Sequence, residues 1–213
     1  RQIFVVEQAF AAALGTGLPV YEPQGSFVVD IGGGTTEVAL VSMGGVVLSH
    51  SVRVAGNKID EAIAGFLKKQ HAILVTDRVA EQIKFDLADV RSEKKMEHIA
   101  VVRGRDIATG MPLTVDVNMA NVSEAIREPL QEILGAIKWV LGRVPPELCS
   151  DILQNGIYLT GGSAALPNLD TMIATEFGVP VSVARDAGEC TTLGAGYMAD
   201  HFDMLGGVSG KND

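Results

Sequence analysis

The stretch "FVVDIGGGTTEVALVS", residues 27–42, constrains this chain more than any other. An apolar run ends in Asp30, three glycines and two threonines follow, and a second apolar run begins. Runs apolar at nearly every position fit strands covered on both faces. Three consecutive glycines exceed what a two-residue hairpin needs. Either the turn is a β-bulge or wide loop with no ligand, or something outside the chain must approach its backbone. Glycine admits backbone angles that turn successive N–H groups toward one point, and without Cβ atoms a phosphate can reach them. Asp30 ends the first strand beside this loop. Its carboxylate could hold Mg2+, directly or through waters, because that ion prefers oxygen ligands and keeps much of its hydration. Thr35 and Thr36 place hydroxyls beside the same space.

Two further motifs point the same way. Gly161 and Gly162 close the apolar segment "GIYLT" and open a helical one. Helix N-termini attract anions, although packing turns use glycine as well; two glycine-ended strands in one α/β domain could line one cleft. On a helix through "AEQIKFDL" (80–87), Glu81 and Lys84 are i,i+3 neighbours on the face opposite Val79, Ile83 and Leu87. They read either as an exposed ion pair of small value, or as Glu81 to a ribose hydroxyl and Lys84 to the polar edge of a nucleotide.

Around these motifs the periodicity alternates between strand and helix. Strands are expected at 2–6, 26–31, 36–42, 45–54, 98–103, 112–118, 155–160 and 179–184. Helices are expected at about 9–14, from Asn57, from Thr76 as cap, and from a capping box of Asn121 and Glu124 into a long helix kinked at Pro129. Others follow from Pro145–Pro146, within 167–178, and at 190–200. Strands followed by helices argue for α/β, with a less regular α+β insertion over about 58–120.

Composition excludes several classes. A net charge of −9 with scattered basic residues argues against nucleic acid. The four histidines show no metal-ligand spacing, and Cys149 and Cys190 form no CxxC, which fits a reduced, cytoplasmic setting. No run approaches the ~20 apolar residues of a membrane span, and no signal peptide is visible. The absence of an initiating Met suggests a piece of a longer protein.

The order "DIGGGTTEVALVS", "VRVAGNKIDEAI", "AEQIK", "RGRDIATGMP" and "PPEL…DI…GIYLTGGSAAL" resembles the MreB family of bacterial actins over nearly all of 1–200. The resemblance implies an actin-like ATPase fold, a ribonuclease H-like mixed sheet flanked by helices, with a smaller inserted α+β subdomain. It implies subdomain IIA at 22–57 and 122–190, IIB at 58–121, a remnant of the first domain at 1–21, and a C-terminal helix and tail at 191–213. It further implies binding of ATP and Mg2+ and polymerisation of the protein with itself into filaments at the inner face of the cell membrane. Cell shape would follow through a RodZ-like adaptor and the cell-wall elongation machinery, with membrane contact made by the family's N-terminal half.

Carried onto this sequence, the resemblance puts Asp30 near the metal and Gly32, Gly33, Gly34, Thr35 and Thr36 around the phosphates. Gly56, Asn57 and Asp60 begin the inserted subdomain close to the nucleotide, and Glu81 and Lys84 fall on the ribose and adenine contacts. Gly161, Gly162, Ser163 and Leu166 belong to the adenosine motif. Gln8, with Glu7 and Thr35, falls in the catalytic set: Gln8 stands where the family orients the attacking water. Three departures bear on this. Glu7-Gln8-Ala9 replaces the usual Glu-Glu-Pro, so Gln8 can position water but cannot act as a carboxylate base; slow hydrolysis follows unless Glu7 substitutes. Ser163 stands where a third glycine is usual, implying a tighter approach for the base, and Asn57 replaces a common aspartate. With the first phosphate loop outside this sequence, the stretch alone should bind ATP weakly and hydrolyse it poorly. A small-molecule kinase of the same fold and a non-catalytic filament-binding module are the alternative readings.

Overall fold

A computed structural model describes residues 5–88, 90 and 99–201. In chain order the elements are α1 (Gln8–Gly15), β1 (Ser26–Ile31), β2 (Thr36–Ser42), β3 (Gly45–Val52), α2 (Gly56–His71), β4 (Ile73–Leu74) and α3 (Asp77–Leu87). They continue as β5 (Ile99–Asp106), β6 (Pro112–Asn118), α4 (Met119–Ala125), α5 (Arg127–Leu141), α6 (Pro146–Asn155), β7 (Ile157–Thr160), α7 (Leu169–Phe177), β8 (Val181–Val183) and α8 (Cys190–Asp200).

The larger sheet has the order β3-β2-β1-β7-β8. β1, β2 and β3 form an antiparallel meander, whereas β7 lies parallel to β1 and β8 parallel to β7. The sheet is therefore mixed, with β1 at its centre, and all six β1 residues are buried. Period-two geometry deals them to two cores. Phe27, Val29 and Ile31 join Val38, Leu40 and the apolar faces of α2 and α5. Val28 joins Ala39, Val41 and the alanine-rich α1. By the same alternation Asp30 falls on the α1 side. A second, antiparallel sheet of order β4-β5-β6 carries α2 and α3.

Several local expectations are corrected. The strand expected at 2–6 lies mostly outside the described residues, and Val5 and Val6 are in no strand, having no paired neighbour there. Residue 98 of the strand expected at 98–103 and the Leu87 side chain also lie outside. Thr76 precedes α3, but its side chain makes no capping bond. The cap of α4 is Asn118, whose side chain accepts from the Asn121 N–H, while Glu124 pairs instead with Arg127. The long kinked helix is two helices broken at Ile126 (φ −87, ψ −1). Pro129 falls in the first turn of α5, where its missing N–H costs nothing.

Candidate nucleotide site

β1 and β7 run parallel and end side by side, Asp30 opposite Thr160. Ligand crevices in α/β sheets form outside such carboxyl ends. Five segments converge there: the 32–35 loop, the start of α2, the turn after β7, and the first residues of α1 and α8.

Asp30 is 2% exposed. Gln8 Nε2 donates to its Oδ2 at 2.7 Å, Thr191 Oγ1 to the same oxygen at 3.2 Å, and Thr160 Oγ1 to Oδ1 at 3.1 Å. Three of the roughly four acceptor positions of the carboxylate are thus filled. Direct ligation of Mg2+ by Asp30, the first of the two modes expected, does not fit this buried and occupied carboxylate. Contact through water to an ion carried by phosphates fits the position that is left. Among the described residues no cluster of three or more His, Cys, Asp or Glu could hold a metal.

The glycine loop has an orientation that the sequence did not reveal. The Gly32 N–H donates to Thr35 O at 3.0 Å, closing the turn, so this amide is not open to a ligand. The Gly32 carbonyl accepts from the Gly56 N–H (3.1 Å) and from Ser163 Oγ (2.8 Å); the Gly33 carbonyl accepts from the Asn57 N–H (2.8 Å). A trans peptide points its N–H opposite to its C=O, and no peptide here is cis. Two loop carbonyls are therefore drawn onto the first turn of α2, satisfying its orphan donors. The N–H groups of Gly33 and Gly34, on the far side of the same peptide planes, are thrown outward. Neither has an acceptor among the described residues. None of the three glycines uses a positive φ. A Cβ on Gly34 would meet nothing within 4 Å. The fold itself gives Gly34 no reason to lack a side chain.

Gly161 is different. Its φ is +84, and a Cβ there would run into the Ile31 carbonyl, so the close approach of β7's end to β1 requires glycine. Gly162 opens a short 3-10 turn (Gly162–Ala165), with nothing near its Cβ position.

Other expected site residues differ in how far they face the site. Thr36 is fully buried, donating to Val54 O at 2.7 Å, because its position opposite Ile31 turns it into the main core. Thr35 is half-buried in the loop. Leu166 is 4% exposed and packs in the core, which takes its side chain away from any ligand. Lys84 does not pair with Glu81 on an exposed face. It is 4% exposed, with its Nζ 3.0 Å from Asp60 Oδ1 across the α2–α3 contact, and Glu81 is exposed. Burial pushes the Asp60 carboxyl up, Lys84 pulls it down, and the Glu81 and Asp77 charges add to the rise. Lys84 Nζ lies 3.4 Å from where a Gly56 Cβ would stand, so the pair borders the glycine knot. A cavity of about 320 Å3 beside it is lined by Asn57, Asp60, Glu61 and Asp77. Those carboxylates repel phosphates but accept from hydroxyls, as a ribose would require.

Glu7 is exposed at the start of α1. Gln8 commits its amide N–H to Asp30, which leaves Oε1 as an acceptor. Sequence reasoning missed Thr160, Thr191 and Glu37. Glu37 pairs across the ladder with Asp30. Burial raises its carboxyl above the ordinary value, with the Asp30 and Glu7 charges adding to the effect. A four-residue loop between positions 31 and 36 sets residue 37 opposite residue 30, a signal the sequence did contain.

Residues 1–207 match the family described as MreB/Mbl protein. The chain is 42% identical over 205 residues to the cell shape-determining protein Mbl of Bacillus subtilis, covering 96% of this chain and 61% of that protein. It is 44% identical over 207 residues to the cell shape-determining protein MreB of Escherichia coli K12, covering 97% of this chain and 59% of that protein. It thus spans about 60% of the length of the curated relatives it matches. The crystal structure of MreB 5 of Spiroplasma citri bound to AMPPNP superposes with a TM-score of 0.89 at 30% identity, over 96% of this chain and 61% of that one. The MamK double helical filament, at TM-score 0.71 and 23% identity over 92% of this chain and 59% of that one, shares the fold.

Proposed function

The chain belongs to the MreB/Mbl protein family, and from that premise we propose that it forms the nucleotide-binding part of an ATP-switched filament subunit that helps set cell shape. The observation that carries the reading is the pair of outward N–H groups of Gly33 and Gly34, held there because the carbonyls of Gly32 and Gly33 are tied to the start of α2. Oriented backbone donors of this kind suit phosphate oxygens and need no rearrangement when charge develops. The AMPPNP bound by the S. citri relative supports the same ligand class.

In this reading the β- and γ-phosphates meet the 32–35 loop, with Thr35 beside them. The base and ribose lie toward Gly161, Gly162, Lys84 and Glu81. Asp30 would hold Mg2+ through water, and the ion would supply charge neutralisation at the phosphates. Gln8 Oε1 accepts a hydrogen bond from the attacking water while Nε2 stays on Asp30, which orients the water without taking its proton. An amide in this role fits slow turnover. Subdomain IIA at 22–57 and 122–190, IIB at 58–121, self-assembly, docking of a RodZ-like adaptor, coupling to cell-wall elongation and a location at the inner membrane face belong to the same proposal. Among the described residues no helix is long and apolar enough to cross a membrane.

The test is sedimentation and electron microscopy of the full-length protein with and without ATP, alongside equilibrium ATP binding. The reading expects micromolar or tighter binding and ATP-dependent filaments. Full-length protein that binds no nucleotide and stays monomeric refutes it.

A further inference from the structure

Ser163 stands where the resembled family has glycine, and its hydroxyl is not idle. It is 7% exposed and donates to the Gly32 carbonyl at 2.8 Å across 131 positions of sequence. That carbonyl belongs to the same peptide plane as the Gly33 N–H. With the Gly56 N–H at 3.1 Å on the same oxygen, both of its lone pairs are used. The packing around the bridge is close: a Cβ on Gly56 would fall 2.5 Å from Ser163 Oγ.

We propose that Ser163 is a positioning residue for the phosphate tail, acting through the Gly32–Gly33 peptide. This rests on the nucleotide reading above. The hydroxyl joins the turn assigned to the adenosine end to the loop assigned to the phosphate end, so the two halves of the site are held in one register. The hydroxyl points into the protein at Gly32 O and clamps the two loops together. Losing it leaves the Gly32 carbonyl with the Gly56 donor alone. The Gly33 N–H then has a wider range of tilt, and the phosphates lose a fixed donor while the base keeps its turn.

The experiment measures ATP and adenosine binding to full-length wild type, S163A and S163G by calorimetry, with thermal melts of each. Weakening the phosphate's hydrogen bond to the Gly33 N–H by about 1 kcal/mol corresponds to roughly fivefold in affinity. The expected result is an ATP affinity about fivefold weaker in both variants, with adenosine affinity within twofold of wild type. A merely structural role weakens ATP and adenosine together and lowers the melting temperature in proportion; that result overturns the proposal. Wild-type ATP affinity in S163A overturns the role of Ser163 and leaves the nucleotide reading standing. A wild type that binds no ATP removes both.

Discussion

Substituting Gly34 by alanine separates a structural turn from a ligand-binding one. The φ of Gly34 is outside the left-handed region and its Cβ position is empty to 4 Å. Nothing within the protein resists the methyl group. Replacing glycine by alanine at an unstrained position removes unfolded-state entropy and stabilises by about 0.4–1 kcal/mol. For 150–250 residues that is a rise of roughly 1–4 °C in the ligand-free Tm, and a smaller rise in a longer chain. On the proposed reading, bound phosphate would meet the new methyl in place of bare backbone. Losing one hydrogen bond to a charged group costs about 1.5–3 kcal/mol, roughly a 10- to 150-fold weaker Kd. Melting curves of the ligand-free full-length protein and calorimetric ATP titrations read the two effects separately. A more stable and weaker-binding G34A is the expected pair. A G34A protein that keeps the wild-type Kd for ATP refutes the argument, because no phosphate can then be touching that backbone.

Other expectations follow from the same packing. D60A should destabilise by about 3 kcal/mol, since it strands the buried Lys84 ammonium without its counter-charge, and D60A/K84M should recover much of the loss in denaturant titrations. G194A should cost about 1–3 kcal/mol, because its methyl would run into the Ala11 carbonyl where α1 and α8 cross; a neutral melt would mean the crossing is looser than described. Glu37 tests the acidic side of the site through pH. Its carboxyl is raised above the ordinary 4.5. Its contribution to stability is therefore fully present below the unfolded value and lost as pH rises through the folded one. E37Q should melt above wild type at pH 7, and the gain should shrink as pH falls toward 4.5; a gain independent of pH contradicts the assignment.

Much of the larger sheet could be read from the sequence because its information is local. Apolar runs give β1 and β2, and glycines mark where β2 turns and β7 ends. Gly161 is open to two readings in the sequence, anion site or packing turn, and its Cβ position against the Ile31 carbonyl shows that the packing of β7 against β1 requires it. What stayed hidden depends on partners far along the chain. Helical periodicity puts Lys84 on the exposed face with Glu81, but Asp60, 24 positions earlier, draws it into the α2–α3 contact. Thr160 and Thr191 look like ordinary strand and helix residues until the fold brings them to Asp30 from 130 and 161 positions away. Thr36 looks equivalent to Thr35, yet one step along a strand reverses the face it occupies. Pro129 suggested a kink because its place in a first turn depends on a break at Ile126 that no residue type there announces.

Amide hydrogen exchange across residues 32–34 of the full-length protein, with and without AMPPNP, is the most direct test. Gly32, already bonded to Thr35 O, should exchange slowly in both states. Gly33 and Gly34 should exchange fast in the free protein and become protected when the nucleotide binds. Protection of Gly33 and Gly34 that is unchanged by saturating AMPPNP would contradict the assignment of these two N–H groups to phosphate.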